Sequence, residues 1–116
     1  MVDDDKDIVN LFEQFLKFKG HEIVERAFNG EEALQYYKSS QNTPDIIIMD
    51  HRMPKKNGLE TTKEILSLNP NCKIIFVSAD YSVRDQALKI GAIGFLEKPI
   101  DFNTLFKMIE KFLLLD

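Results

Sequence analysis

The sequence has a single cysteine, Cys72, no tryptophan and only two histidines, His21 and His51. One thiol cannot close an internal disulfide, so a reducing cytoplasm is the natural compartment. Neither histidine has a Cys or His partner at metal-ligand spacing, which argues against a zinc site. Long hydrophobic runs are also missing. The longest are four residues, as in Ile46–Met49, far below the roughly 20 needed to span a bilayer, so no membrane partner is expected. There is no basic excess either: 15 Lys and Arg stand against 19 Asp and Glu, a net charge of −4. Direct nucleic-acid binding lacks the cations it needs to neutralise phosphates. The amino terminus, MVDDDKD, is acidic and unlike a signal peptide. No repeat, low-complexity stretch or linker divides the chain, and 116 residues suit one domain over 1–116.

What is present is an alternation of two textures. β-Rich runs occur at Glu22–Phe28, Asp45–Met49, Lys73–Val77 and Gly94–Leu96, with a remnant at Met1–Val2. Between them lie segments with helical spacing. Ile8, Leu11, Phe12, Phe15 and Phe18 predict one face of a first helix that stops at Gly20. Asn29 followed by Glu32 reads as a capping box opening a second helix, with Ala33, Leu34 and Tyr37 inward. Leu59, Thr62, Ile65 and Leu66 line a third, which ends at Asn69-Pro70. Val83, Ala87 and Ile90 line a fourth, closed by Gly91. Asp101 caps a fifth, with Phe102, Leu105, Phe106, Ile109, Phe112 and Leu113 expected on its buried stripe.

Strands alternating with helices imply βαβ units and a parallel sheet covered on both faces. The continuous runs IIIM and IIFV suit strands buried on both sides. In such sheets the site lies at the carboxyl ends of the strands. Those ends read Asp3-Asp4-Asp5, Asp50, Ser78-Ala79 and Glu97-Lys98-Pro99. Carboxylates gathered at one edge repel one another, and a hard cation relieves them. Oxygen-only ligands favour Mg²⁺. A carboxylate of this kind is also a possible nucleophile toward phosphorus, with the Ser78 hydroxyl and Lys98 ammonium as partners for phosphoryl oxygens.

Four stretches in order, "VDDD" at 2–5, "DIIIMDHRMPKKNG" at 45–58, "IIFVSA" at 74–79 and "GAIGFLEKP" at 91–99, resemble the receiver domain of two-component response regulators, and the chemotaxis regulators among them. The resemblance covers essentially the whole chain. It implies a flavodoxin-like, doubly wound, five-stranded parallel sheet of order 2-1-3-4-5 with five helices. It implies Asp50 as phosphoacceptor and Mg²⁺ as cofactor. Asp4 would then be a direct metal ligand, Asp3 would act through water, and the main-chain carbonyl of Arg52 would be a further ligand. Ser78 takes the switch-hydroxyl position, Phe95 the switch-aromatic position, and Lys98 binds the phosphoryl group beside a cis peptide to Pro99. Gly58 matches the glycine ending the loop after the phosphoacceptor. Arg52 and Asp80 flank the path of the water that hydrolyses the acyl phosphate and are expected to modulate dephosphorylation. The implied protein is a cytoplasmic regulatory switch rather than an enzyme. It would be phosphorylated by a sensor histidine kinase and read through the face of the fourth helix, fifth strand and fifth helix by an output protein or a missing effector domain.

Three other readings compete. A haloacid-dehalogenase-type phosphatase would want a second Asp where Arg52 stands. A flavin-binding domain would want a Ser-, Thr- and Gly-rich loop where Asp3–Asp5 stand. A pseudo-receiver would bind partners without phosphorylation. One feature departs from the receiver pattern: only Met1 and Val2 precede the acidic pair, where four or five apolar residues are usual. The expectation is a first strand too short to pair its neighbours, with Asp3 and Asp4 loosely held. Either the chain has lost its start or another segment covers the gap, such as a strand exchanged in a dimer.

Overall fold

A computed structural model of the chain describes residues 1–22, 25–39, 43–53 and 55–114. Helix α1 (Lys6–Phe18) leads to α2 (Gly30–Ser39), strand β1 (Ile47–Asp50), α3 (Gly58–Leu68), β2 (Ile74–Ser78), a 3₁₀ turn (Tyr81–Val83), α4 (Arg84–Ile90), β3 (Gly94–Glu97) and α5 (Phe102–Leu113). The strands are parallel in the order β1-β2-β3, with Met49 beside Phe76 and Phe76 beside Phe95.

The sheet alternates its side chains between two cores. Ile47, Met49, Ile74 and Phe76 join Ala33, Leu34, Ile65 and Ala87 from α2, α3 and α4. Ile48, Ile75 and Val77 join Phe12 and Leu16 of α1 and Leu105, Ile109 and Phe112 of α5. Both faces are therefore covered, which is why β1 and β2 are buried at every residue and why the sequence runs there are unbroken rather than alternating.

Side chains cap the helices as their sequences suggest. Asp5 accepts the Asp7 and Ile8 amides, Asn29 the Glu32 amide, Asn57 the Glu60 amide and Asp101 the Asn103 amide. Glu32 reaches back to the Phe28 amide, completing a variant of the expected capping box. Gly91 ends α4 at φ 119°, in the left-handed region where a side chain is strained. The stripe expected on α1 is displaced. Its buried residues are Val9, Phe12 and Leu16, whereas Leu11 is half-exposed and Phe18 is 85% exposed. Ile8, Leu11 and Phe15 have the same spacing as the true stripe, shifted by one residue and so rotated by about 100°.

The expected strand over 22–28 falls partly on Ile23 and Val24, which lie outside the described residues. Its Ala27 forms a parallel bridge to Val2, and Val2 forms another to Met49. The sheet order therefore extends through Ala27, Val2, β1, β2 and β3, which is the 2-1-3-4-5 arrangement.

The short first strand does not behave as expected. Val2 donates to the Ile48 carbonyl at 2.8 Å and accepts the Asp50 amide at 2.9 Å. On its other side Met1 accepts the Ala27 amide, Asp3 donates to the Ala27 carbonyl, and the Met1 ammonium donates to the Glu25 carbonyl. Five main-chain bonds pin three residues from both sides. Asp3 is fully buried, so it does not hang loosely.

Candidate functional site

The carboxyl ends of the parallel strands converge on one edge. The Val2 ladder delivers Asp3, β1 ends on Asp50, β2 ends on Ser78, and Lys98 directly follows β3. The Lys98 amide donates to the Ser78 carbonyl at 2.9 Å, carrying the β2–β3 pairing one residue past β3 and holding Lys98 over the cluster. The Lys98–Pro99 peptide is cis.

Asp3, Asp50 and Ser78 are buried and Asp4 is exposed. Carboxylate oxygens of Asp3, Asp4 and Asp50 lie within 4.8 Å of one another. The Lys98 ammonium bridges two of these acids, 2.9 Å from Asp50 Oδ1 and 3.3 Å from Asp3 Oδ2. Burial pushes the Asp50 carboxyl above the ordinary carboxylate range, and the Lys98 ammonium only partly opposes it, with Asp3 adding repulsion. Burial pulls the Lys98 ammonium down, but the two carboxylates outweigh that and hold it above its ordinary value. One ammonium thus faces three carboxylates. An additional hard cation suits this donor set: the three side chains offer oxygen only, two of them are desolvated, and one is held against ionisation.

The remaining expected residues surround this cluster. Ser78 Oγ accepts the Asp80 amide at 3.0 Å, and Asp80 in turn caps the 3₁₀ turn through the Ser82 amide. Those Ser82 bonds lower the Asp80 carboxyl's affinity for a proton, with a smaller contribution from Arg52. Arg52 Nη2 stands 3.9 Å from Asp80 Oδ2 across the mouth of the site, with the arginine 81% exposed. Phe95 is half-buried, its ring nearly parallel to Phe76 at 6.3 Å and edge-on to Tyr81 at 5.9 Å.

Gly58 has a steric reason. A Cβ there would lie 2.2 Å from the Asp50 carbonyl oxygen, so α3 begins against the backbone of the site.

One contributor escaped the sequence reading. Lys56 sits in the loop after Asp50, its ammonium held between Glu64 of α3 and Glu31 of α2. Its carbonyl lies so close to Gly30 that a Cβ on Gly30 would approach it to 2.4 Å. The loop carrying Arg52 is thereby clamped at its far end. The only sequence signal was a lysine between two glutamates far apart in the chain, which no local spacing rule connects.

The family model described as the response regulator receiver domain matches residues 1–110. The chain belongs to that family. As a receiver domain it is a regulatory unit of two-component signal transduction, which sets aside the phosphatase and flavin-domain readings. The chemotaxis protein CheY of Thermotoga maritima is 34% identical over 96% of this chain and 92% of its own. The transcriptional regulatory protein ZraR of Salmonella typhimurium is 35% identical over 96% of this chain but only 25% of its own, so the receiver domain corresponds to a quarter of that protein. Among solved structures, Borrelia burgdorferi CheY in a complex with CheX, BeF₃ and Mg²⁺ superposes with a TM-score of 0.89 at 29% identity, over 95% of this chain and 84% of that one. A CheY-like receiver from Methanospirillum hungatei superposes at 0.88 and 28%, over 97% and 89%. These neighbours carry the flavodoxin-like fold expected from the sequence. No helix among the described residues is long and apolar enough to cross a membrane.

Proposed function

We propose that this receiver domain takes a phosphoryl group onto Asp50 from the phosphohistidine of a sensor kinase and signals through the face of α4, β3 and α5. The observation that carries the reading is the Lys98 ammonium bridging Asp50 and Asp3 inside an all-oxygen cluster. An Asp50 oxygen forms the new bond to phosphorus while the phosphorus–nitrogen bond of the donor breaks. The leaving imidazole keeps the electron pair and takes up a proton. Asp3, Asp4, Asp50 and the Arg52 carbonyl are the groups that would hold Mg²⁺, which supplies positive charge against the oxygens in transfer. Lys98 supplies a second positive charge from the β3 side and favours the ionised, nucleophilic form of Asp50, partly offsetting the burial that raises its pKa.

The acyl phosphate brings roughly −1.5 to −2 charge to the site, on the scale of other phosphoresidues. Lys98 and the Ser78 hydroxyl are the groups placed to meet it. Turning Ser78 toward Asp50 opens space beside β2, and Phe95, stacked on Phe76 of β2, turns further inward. Moving a population from 1:99 to 99:1 requires about 5.5 kcal/mol of preference. A charge-assisted hydrogen bond to Lys98, another to Ser78 and a repacked aromatic supply several kcal/mol toward that figure. The site of action is the cytoplasm, and the output is a partner protein or an attached effector.

The test is incubation with acetyl phosphate and Mg²⁺ followed by intact-mass measurement. A base-labile gain of one phosphoryl group, absent in Asp50→Asn and absent without Mg²⁺, is expected. No gain in the wild-type chain would make it a pseudo-receiver. A gain that persists in Asp50→Asn would move the phosphoacceptor elsewhere.

A further inference from the structure

Among the described residues, three buried side-chain atoms have no hydrogen-bond partner: His21 Nε2, His51 Nδ1 and Thr62 Oγ1. His21 Nε2 still stands 2.9 Å from a Glu110 carboxylate oxygen. The other two lie on the α3 side of the sheet, and neither side chain belongs to the acidic cluster.

The register brings them to one place. β1 and β2 pair Met49 with Phe76 and Asp50 with Val77, so the next residues to face each other are His51 and Ser78. Side chains alternate along a strand. Met49 and Phe76 enter the core under α2, α3 and α4, so His51 and Ser78 turn to that same face. The His51 ring meets Phe76 at 5.7 Å, and Phe76 stacks on Phe95 at 6.3 Å. Thr62 comes from α3. Its neighbour Thr61 faces α2, where a Cβ on Gly30 would meet the Thr61 hydroxyl at 2.2 Å. Thr62 is about 100° further round the helix and fully buried, so it faces the sheet. It is also one turn along α3 from Gly58, whose amide bonds the His51 carbonyl at 2.9 Å. One turn rises about 5.4 Å, and a water holding two groups at about 2.8 Å each spans that distance. Ser78 Oγ accepts the Asp80 amide, which leaves its hydroxyl proton for a partner of its own.

We propose that a buried water bonds His51 Nδ1, Thr62 Oγ1 and the Ser78 hydroxyl, and that it holds the resting state of the switch. Three polar partners are what a buried water typically takes. Its link to Phe95 rests on the switch reading given above. When Ser78 turns to a phosphoryl oxygen, the water loses one partner, and the Phe95 ring entering that space displaces it. A phenyl ring offers His51 and Thr62 no hydrogen bond, so the inward ring is disfavoured until phosphorylation compensates.

The unphosphorylated chain provides the first test. A crystal structure should show one water bonded to His51 Nδ1 and Thr62 Oγ1. Thr62→Val and His51→Phe should each lower the melting temperature. The double variant should lose less than the sum, because either change alone already releases the same water. A dry site overturns the proposal, and so do additive losses. A higher melting temperature in Thr62→Val also overturns it, as the mark of an unhydrated hydroxyl relieved of its burial. The second test follows a fluorine label on the Phe95 ring by NMR. Thr62→Val should raise the ratio of inward to outward ring about tenfold, equivalent to about 1.4 kcal/mol. Intact mass after acetyl phosphate treatment separates this inference from the function it rests on. Normal labelling of Asp50 with an unchanged ring ratio refutes the inference alone. No labelling of the wild-type chain refutes the proposed function, and the water and the ring ratio in the unphosphorylated chain still decide the inference.

Discussion

Replacing Gly58 by alanine puts a methyl group where the main chain of the Asp50 strand already runs. The new Cβ would stand 2.2 Å from the Asp50 carbonyl oxygen, 2.8 Å from His51 Cα and 3.0 Å from the Asp50 carbonyl carbon. All three are backbone atoms, so no change of rotamer relieves the contact. Close carbon–oxygen contacts begin at about 3.3 Å, so the start of α3 or the Asp50–His51 peptide must move by roughly 1 Å. That movement strains the 2.9 Å bond from the Gly58 amide to the His51 carbonyl. Overpacking of this kind costs about 1–3 kcal/mol, and alanine's better helix propensity returns up to about 1 kcal/mol. The net loss of about 1–2 kcal/mol should lower the melting temperature by at least about 4 °C in a domain near this size. The same displacement moves Asp50 relative to Lys98, and a misplacement of about 1 Å costs on the order of 10²-fold in rate. Thermal unfolding and the rate of labelling by acetyl phosphate are the two measurements. An alanine variant that melts no lower than wild type and labels as fast would refute the claim that this close approach sets the position of Asp50.

Asp50→Asn should stabilise the metal-free chain at neutral pH. Burial raises the Asp50 carboxyl, so between its ordinary range and its raised value the folded state binds more protons than the unfolded state. Stability therefore falls as pH rises through that window, and the cost is complete above it. The gain in the asparagine variant should vanish below the ordinary carboxylate range; urea titrations in EDTA at neutral and acidic pH give the comparison, and equal stability at neutral pH would contradict it. Lys56→Met breaks the clamp between Glu31 and Glu64 and should weaken Mg²⁺ binding several-fold without changing the secondary structure; an unchanged Mg²⁺ titration would leave the clamp with no role at the site. Arg52→Ala with Asp80→Ala removes the 3.9 Å pair at the mouth and should shorten the lifetime of the phosphorylated form, whereas an unaltered decay rate would mean that the pair does not obstruct water.

Much of the site was legible because strand ends are marked in the sequence. An apolar run that stops on Asp50, Ser78 or Glu97-Lys98 names both the strand and the edge, and the parallel arrangement brings those ends together. Caps were legible for a similar reason: Asn29 and Asp101 bond amides two or three residues away, within the reach of local rules. The errors arose where an outcome depended on partners distant in the chain. Phe18 has the spacing of a core residue, yet its place on α1 was decided by how the helix rolls onto Ile48 and Phe112. Met1–Val2 looked too short for a central strand because a strand's strength was judged by its length, whereas Ala27 and Met49 bond it from both sides. Lys56 was invisible because its two glutamates lie 25 residues before and eight residues after it and meet only once α2 and α3 pack together.

The hydrogen bond from the Asp80 amide to Ser78 Oγ gives the resting state a threshold of its own. A serine hydroxyl that turns to a phosphoryl oxygen on Asp50 must release that amide, a loss on the order of 1 kcal/mol. The released amide belongs to the residue that caps the turn holding Tyr81, and Tyr81 lies edge-on to Phe95. Under the proposed function this one bond would act as a detent. It would resist weak or accidental contacts at Asp50, and on yielding it would loosen Tyr81, the neighbour of the Phe95 ring that the proposal has turning inward.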